Sequence, residues 1–335
     1  MATMRGDARA LERATGVLAA LPPVEHAIAY GSAVLADAVA ASSSAPALDV
    51  LLTVRDPVAW HETNMRANPS HYAPQMRLVG ARGTDAVSRA VGVGAHYNAA
   101  LADDRGRGYK YGVVGTSAAV EDLTTWKYLF FAGRMHKPHV TLVASEAMLA
   151  AQKENVAFAC RAALLLLPET FSELEFIRAL VRLSYDGDIR FLFAAEDARK
   201  IERIASGNVE ETRSMYEETL RVAFRDTVCV SQTLGGTWTQ DKSVEVLRSH
   251  AAGLPVNVLA GLSSSRVDGS SIGDARRSNV AVDAQRDAVR RRIRDIVRVS
   301  STRQAFAALL STSPLKAMAY VGAKFVKSAA SRFGR

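Results

Sequence analysis

The stretch "AYGSAV" at residues 29–34 decides how the N-terminal part of this 335-residue chain is expected to fold. It ends an apolar segment that predicts a short strand finishing near Tyr30, and it precedes residues that favour a helix starting at Ser32. A glycine and a hydroxyl residue at a strand-to-helix junction commonly hold a phosphate, because backbone N–H groups and the helix dipole both favour an anion there. We therefore interpret Tyr30, Gly31 and Ser32 as a candidate nucleotide-binding turn.

A second predicted strand lies in "ALDVLLTVRDP", residues 47–57, where Asp56-Pro57 closes it, and it supplies an acid, Asp49. A Gly-Ser turn followed by an acidic strand is typical of polymerase-β-type nucleotidyltransferases, in which carboxylates hold Mg²⁺ against a triphosphate. The usual strand carries two acids on one face, but here the second position is Leu51. A second magnesium ligand would come from elsewhere. Glu121 and Asp122, at the start of a later helix, are candidates, and complementing that helix's dipole explains them equally well.

Alternating strand and helix patterns predict an α/β or α+β domain over residues 1–145. Its last helix is expected over residues 119–135, ending near Gly133. From Ser145 onward the patterns become mostly helical, which predicts a second domain over 146–275 and a basic segment over 276–335. The helices expected in the second domain lie around residues 146–166, 172–184, 191–206 and 208–224.

Positive charge is concentrated at the C-terminal end. Residues 276–335 contain 14 Lys and Arg against three acids, whereas the whole chain has a net charge of +8. A basic tail on a near-neutral body points to a polyanionic surface, either a membrane or a nucleic acid. The segment has few aromatic residues for base stacking and no nucleic-acid-binding motif, which favours the membrane.

The tail pattern also favours a membrane interface. On a helical wheel from Pro314 onward, Lys316, Lys324 and Lys327 share one sector. The opposite side is apolar and includes Phe325. A cationic face opposite an apolar face is typical of a helix lying on an anionic membrane. We therefore predict that the three lysines and Phe325 bind an anionic membrane. The alternative is an ordinary terminal helix packed on the body.

Five blocks in order resemble the mitochondrial phosphatidate cytidylyltransferases, the peripheral CDP-diacylglycerol synthases. The blocks are "AYGSAVL", "LDVLLTVRDPVAWHETNMRANPSHYAP", "YKYGVV", "EDLTTWKYLFFAGRMHKPHV" and "LSYDGDIR". The resemblance covers roughly residues 25–330. It implies an α+β fold: a polymerase-β-type nucleotidyltransferase domain, a mainly helical winged-helix-like domain and a C-terminal amphipathic membrane-binding helix. In this family the first catalytic strand also carries one acid.

The resemblance further implies a reaction of CTP with phosphatidate that yields CDP-diacylglycerol and pyrophosphate, with Mg²⁺ as cofactor, for phosphatidylglycerol and cardiolipin synthesis. The implied partners are CTP, phosphatidate and an anionic membrane surface, with no nucleic acid. The implied location is the matrix side of the mitochondrial inner membrane, as a peripheral protein. Two alternatives stay open: a nucleotidyltransferase with another acceptor, such as RNA or protein, and a non-catalytic membrane scaffold.

Lys110 lies between two tyrosines on a predicted strand, where a buried cation is costly unless a phosphate lies nearby. An edge-strand lysine that reaches solvent is the alternative. With the resemblance, we expect Asp49, Lys110 and Asp122 to be catalytic, and Asp49 and Asp122 to bind the metal. The further residues expected to bind nucleotide, besides the Gly-Ser turn, are Arg134, Lys137, Asp188, Arg190 and Lys200.

Simpler explanations exist for several of these residues. Arg134 and Lys137 follow a helix C-terminus, where cations are favourable in any case. Asp188 and Arg190 could simply pair with each other across a turn. Four polar residues at three- or four-residue steps either border the active site or form hydrogen-bonded packing, with equal support; they are His61, Asn64, Asn68 and His71.

Overall fold

The computed structural model describes residues 8–31, 33–34, 47–192, 199–231, 233, 235–262 and 274–311. Its N-terminal part is built on a five-stranded sheet. The strands are β1 (His26–Tyr30), β2 (Leu48–Val54), β3 (Ala95–Ala102), β4 (Gly108–Gly115) and β5 (His139–Val143). Their spatial order is β3-β4-β2-β1-β5. The β2–β4 pair is parallel and the other neighbours are antiparallel, so β1, β2 and β4 lie side by side at the centre.

Helices cover both faces of this sheet. They are α1 (Ala8–Ala19), α2 (Pro57–Ala67), α3 (Pro74–Ala90), α4 (Thr116–Thr125), α5 (Phe131–Met135) and α6 (Glu146–Leu166). On one face, Trp60 of α2 packs in a core with Val50 and Tyr111. On the other, Leu123 of α4 packs in a core with Leu51. Alternate residues of β2 therefore belong to different cores, as the two-residue period of a strand requires.

The second half of the chain is mainly helical. It contains α7 (Glu173–Arg182), α8 (Ile189–Leu192), α9 (Lys200–Ser206), α10 (Val209–Ala223), α11 (Val244–Ala252) and α12 (Val256–Leu262). A small antiparallel sheet accompanies them, with strands β6 (Thr170–Ser172), β7 (Val228–Cys229) and β8 (Thr237–Gln240) in the order β6-β8-β7. Trp238 of β8 anchors the core, with its ring centroid 5.1 Å from that of Phe176. Ser172 and Glu175 form a capping box that starts α7.

The last described element, α13 (Asp274–Ser311), joins the two halves. It packs against α12 and α8 as well as α3 and β3. Arg303 donates hydrogen bonds of 2.8–3.0 Å to the carbonyl oxygens of Arg89, Ala90 and Gly92, which closes the C-terminal end of α3. Among the described helices, none has the length and apolar character needed to cross a bilayer.

Two departures of the secondary structure from the sequence prediction lie close to the candidate site residues. The helix expected over 119–135 is broken into α4 and α5, because Trp126 and Leu129 adopt left-handed backbone conformations with φ of 53° and 51°. The strand β3 was not predicted, since "AHYNAALA" has no β-branched residue to mark it. The helices expected around 146–166, 172–184 and 208–224 are confirmed as α6, α7 and α10.

Burial lowers the pKa of every histidine in the chain, and the chain has seven. The pKa falls to about 4 for His26, His96 and His250, and to about 3 for His61 and His136. Four of these five have at least one buried ring nitrogen that forms no hydrogen bond within the part of the chain that the structure describes. The fold therefore holds these imidazoles in the neutral form.

We expect mild acid to destabilise the protein. The unfolded chain binds protons below the ordinary histidine pKa of 6.5, whereas the folded chain resists protonation down to about pH 4. Stability is therefore complete above the unfolded pKa and falls as pH drops towards the folded values. At about pH 5.5 each of the five loses about 1.4 kcal/mol, and together they approach a typical total stability. Urea unfolding between about pH 7.5 and about pH 5.5 measures this, and an unchanged midpoint would contradict it.

Candidate active site

Tyr30, Asp49 and Lys110 form a row across three neighbouring strands. Tyr30 pairs with Asp49 between β1 and β2, and Asp49 pairs with Lys110 between β2 and β4. Paired residues project from the same face of a sheet. The Lys110 Nζ lies 3.2 Å from Asp49 Oδ1, and these side chains are 39% and 23% exposed. Since β4 lies inside the sheet, Lys110 is not on an edge strand, and its ion pair with Asp49 is open to an incoming ligand.

Gly31 brings the chain past this ion pair. It follows β1 with a φ of +83°, and a Cβ built on it would lie 3.4 Å from Asp49 Oδ2. A side chain here would be strained by the backbone and would press on the carboxylate. Its carbonyl oxygen accepts the N–H of Val34 at 3.1 Å, which makes a tight turn. Ser32, the hydroxyl residue of the predicted phosphate-binding turn, lies outside the described residues.

Arg134 of α5 stands over the same face. Its guanidinium carbon lies 3.6 Å from the centroid of the Phe130 ring and 5.9 Å from that of Tyr30. Its Nη1 donates to the Phe130 carbonyl oxygen at 2.7 Å, while its Nε is buried and has no hydrogen-bond partner among the described residues. A buried donor without a partner is costly, so this guanidinium is suited to receive an anion.

Lys137 lies one turn further along the chain and faces the helical half. Its Nζ donates to the Gly133 carbonyl oxygen and, at 2.8 Å, to the Ser184 hydroxyl. The ammonium also lies 5.0 Å from the centroid of the Tyr185 ring. Burial lowers the pKa of Lys137 well below its ordinary range, and the nearby charges of Arg134, Lys200 and Arg190 lower it further. Burial and these three charges therefore oppose the charging of Lys137, and a bound polyanion would favour it.

The remaining predicted residues come from the helical half. Lys200 of α9 lies 5.3 Å from the Tyr185 ring centroid, on the ring that Lys137 also contacts. Asp188 is buried, and it accepts bonds of 3.0 and 2.5 Å from Arg190 Nε and Nη2. Although burial opposes it, the contact with Arg190 lowers the pKa of Asp188. Asp188 and Arg190 therefore form a local ion pair, and the charge of Arg190 lies close enough to act on Lys137.

Asp122 does not belong to this group, which corrects its prediction as a catalytic and metal-binding residue. Its Oδ1 accepts the backbone N–H groups of Tyr128 and Leu129 at 2.6 and 2.9 Å. Its Oδ2 accepts three more, from residues 130–132, at 2.7–3.3 Å. The side chain is buried, and burial raises its pKa while the hydrogen bonds from the backbone of residues 128 and 130–132 oppose that shift. With both oxygens occupied, Asp122 organises the backbone before α5 instead of binding a metal.

Glu121, the other candidate for a second metal ligand, points to solvent. Its carboxylate pairs with Lys127 Nζ at 3.0 Å, and the two side chains are 49% and 45% exposed. This is an ordinary surface ion pair. Within the described residues, no three His, Cys, Asp or Glu side chains lie close enough together to hold a metal ion.

The polar residues of α2 and the turn after it lie on the opposite face of the sheet. Tyr111 follows Lys110 on β4 and so projects the other way. Its hydroxyl contacts Asn64 Nδ2 and His71 Nδ1, each at 2.8 Å, and Asn98 Nδ2 at 3.0 Å. The same network includes His61, Asn68 and Tyr72. Of the two interpretations left open, hydrogen-bonded packing is therefore correct.

Two aromatic residues of the site were missed in the sequence. Tyr97 of β3 lies over Gly112, whose built Cβ would come within 2.7 Å of the tyrosine ring, and its ring centroid is 6.2 Å from that of Phe130. Tyr185 lies between two lysines. The signal for Tyr185 was its place in "LSYDGDIR", a block in which only the charged residues were singled out.

Comparisons with known proteins show which family this chain belongs to. A family model described as "Phosphatidate cytidylyltransferase, mitochondrial" matches residues 14–327. A relative of that name from Rattus norvegicus is 35% identical over 307 residues, which is 90% of this chain and 89% of its own. The one from Mus musculus is 34% identical over the same length, with the same coverage. The one from Schizosaccharomyces pombe is 34% identical over 194 residues, 58% of this chain and 49% of its own. The chain therefore belongs to the mitochondrial phosphatidate cytidylyltransferase family.

Proposed function

We propose that the chain transfers the cytidylyl group of CTP to phosphatidate. A phosphate oxygen of phosphatidate attacks the α-phosphorus of CTP and forms a new P–O bond. The bond from that phosphorus to the oxygen bridging it to the β-phosphorus breaks, and pyrophosphate leaves with the electron pair. The products are CDP-diacylglycerol and pyrophosphate. Membership of the family supports this reaction. The observation that carries it is the open Asp49–Lys110 pair beside Gly31, with Arg134 close to Tyr30 and with Lys137 and Lys200 on the Tyr185 ring.

Different residues bind the triphosphate and stabilise the departing pyrophosphate. The turn at Gly31 and Ser32 binds the triphosphate through backbone N–H groups and the serine hydroxyl. Arg134 and Lys137, with Arg190 and Lys200 close by, bind the departing pyrophosphate and stabilise its growing charge. A phosphatidate phosphate is already anionic near neutral pH, so the attack needs little help from a general base. Positioning and charge neutralisation then supply most of the rate enhancement.

Asp49 is suited to hold Mg²⁺. Its carboxylate is partly exposed and lies beside the predicted triphosphate turn. Magnesium is commonly held by one or two protein carboxylates, with substrate phosphates and waters completing its shell. One protein ligand therefore fits, and no replacement for Asp122 is required. When bound, the ion would neutralise charge on the phosphates.

For the architecture, we propose a polymerase-β-type nucleotidyltransferase domain over residues 1–145 and a winged-helix-like domain over 146–275. The supporting observations are the mixed sheet that carries Asp49 and Lys110, and the helices α7–α12 with their small sheet. The third part of the proposal is the basic segment over 276–335, whose described residues belong to α13 and pack against both halves.

For the location, we propose the matrix side of the mitochondrial inner membrane, where the product would feed phosphatidylglycerol and cardiolipin synthesis. The relatives' name says mitochondrial. The predicted membrane-binding residues of the tail lie outside the described residues, and they stay part of this proposal: Lys316, Lys324, Phe325 and Lys327.

An acceptor comparison tests the reaction. The purified protein is incubated with Mg²⁺, CTP labelled at the α-phosphate, and either phosphatidate vesicles, RNA or protein. We expect label in the lipid extract and not in the other two acceptors. Label in RNA or protein would establish a different acceptor. Calorimetry with CTP and Mg²⁺ addresses the scaffold alternative, because a scaffold would show no heat of binding.

A further inference from the structure

Five large apolar side chains are exposed where α3 and the end of α13 lie together. Nine such side chains are strongly exposed in the described part of the chain, and five of them belong to these two helices' neighbouring ends. We call this set the α3–α13 patch: Leu78 (89% exposed), Val79 (48%), Phe306 (58%), Leu309 (60%) and Leu310 (48%). Isolated exposed apolar residues are ordinary, but a cluster of this kind marks an interaction surface.

The contacts between the two helices bring these side chains together. Gln75 Nε2 donates to the Leu310 carbonyl oxygen at 3.2 Å, near the start of α3. At the other end, Arg303 bonds to the last carbonyl oxygens of α3. Residues 303–310 therefore run antiparallel to α3. Leu78 and Val79, one turn after Gln75, consequently lie beside the last two turns of α13.

The backbone is distorted at the point that exposes Leu78. Gly80 interrupts α3 with φ 68° and ψ −172°, a conformation that is essentially restricted to glycine. A Cβ built on Gly80 would meet nothing within 4 Å, so no close packing requires a glycine here. The glycine is needed for its conformation, and the kink it permits directly follows two solvent-facing apolar residues.

The unpaired charges beside the patch are cationic, because Glu62, which lines the same groove as Val79, is already paired with Arg66. Arg77 and Arg82 are exposed beside Leu78, and neither has an ion-pair partner in the described part of the chain. The one acid of α3, Asp85, is buried and paired with Arg89. The chain contains no acid at all after Asp295. An apolar patch with a cationic rim complements an anionic lipid surface better than it complements a neutral protein.

We propose that the α3–α13 patch inserts into the surface of an anionic bilayer, with Arg77 and Arg82 on lipid phosphates. The proposal rests on the proposed function in one respect: phosphatidate is a lipid, so the enzyme works at a bilayer. The patch lies at the end of α13, directly before the predicted membrane-binding residues 316–327. The body and the tail would then share one membrane face, which would fix the orientation of the body.

Vesicle flotation of the full chain tests this. The probe is phosphatidate-free vesicles of phosphatidylcholine and phosphatidylglycerol, so that binding is read without turnover. The variant is Leu78→Gln with Val79→Gln. The matched control is Val222→Gln with Val256→Gln, two residues that are 61% and 58% exposed elsewhere. We expect the patch variant to bind roughly ten-fold more weakly and the control to be unchanged. Arg77→Gln with Arg82→Gln should weaken binding and flatten its salt dependence.

Three results would overturn the proposal. The patch variant could bind like the control. It could melt at a lower temperature without vesicles, which would mean that these side chains are covered by the chain itself. It could also change the oligomeric state in light scattering, which would make the patch an interface between copies. Activity on a short-chain, water-soluble phosphatidate separates this proposal from the proposed function, because the patch variant should retain that activity in full.

Discussion

Replacing Asp49 with Asn should reduce kcat/KM for CTP by at least about 10³-fold while leaving the protein folded. The carboxylate is expected to hold a cation that neutralises phosphate charge, a contribution of several kcal/mol, and each 1.36 kcal/mol corresponds to about ten-fold in rate. The cost to folding should stay within about 1 kcal/mol, because the Asp49–Lys110 pair is partly exposed and such pairs contribute little. Initial rates with phosphatidate vesicles and a urea unfolding curve measure the two effects.

A matched variant tests whether the loss of activity is specific to Asp49. Asp104 is an exposed acid between β3 and β4, and Asp104→Asn removes the same charge from the chain. It should keep full activity. Titration with Mg²⁺ adds a second readout, since Asp49→Asn should need a higher concentration of the ion for half-maximal CTP binding. An Asp49→Asn protein that retained a tenth of wild-type activity would remove Asp49 from the proposed mechanism.

The strands that carry Tyr30, Asp49 and Lys110 were predictable because each is a short segment with a clear local pattern. Their pairing into a row was not predicted, because β2 pairs in parallel with β4 across the intervening α2, α3 and β3. The hydrogen bond between Lys137 and Ser184 could not be predicted from local sequence patterns. It joins residues 47 positions apart, one before the helical half and one inside it. Only the resemblance to a family placed both near a nucleotide, and it did so without specifying their contact.

The error over Asp122 has a physical origin. An acid at the start of a helix satisfies the same sequence pattern whether it binds a metal or accepts backbone N–H groups. The distinction depends on the path of residues 126–132, where Trp126 and Leu129 adopt positive φ and the N–H groups of residues 128–132 point to the Asp122 carboxylate. The residue types in "WKYLFF", residues 126–131, do not predict positive φ angles, so the pattern predicted one continuous helix.

Asp122→Asn should therefore lower the free energy of unfolding by about 3 kcal/mol or more. The amide keeps one acceptor oxygen but directs an NH₂ group at backbone N–H groups, which leaves two or three buried donors unpaired at about 1–3 kcal/mol each. The same segment starts α5, so Arg134 and Lys137 should lose their positions as well. A urea unfolding curve measures the first effect, and the KM for CTP measures the second in whatever fraction stays folded.

Glu121→Gln provides the comparison, because Glu121 is the adjacent acid and forms an exposed pair with Lys127. It should change stability by less than about 0.5 kcal/mol and leave activity intact, as expected for a surface ion pair. The two roles considered for Asp122 give opposite results. A metal ligand would lose activity at unchanged stability, since the rest of the fold does not depend on it. A carboxylate that holds five backbone N–H groups must lose stability first, and any loss of activity follows from the displaced α5.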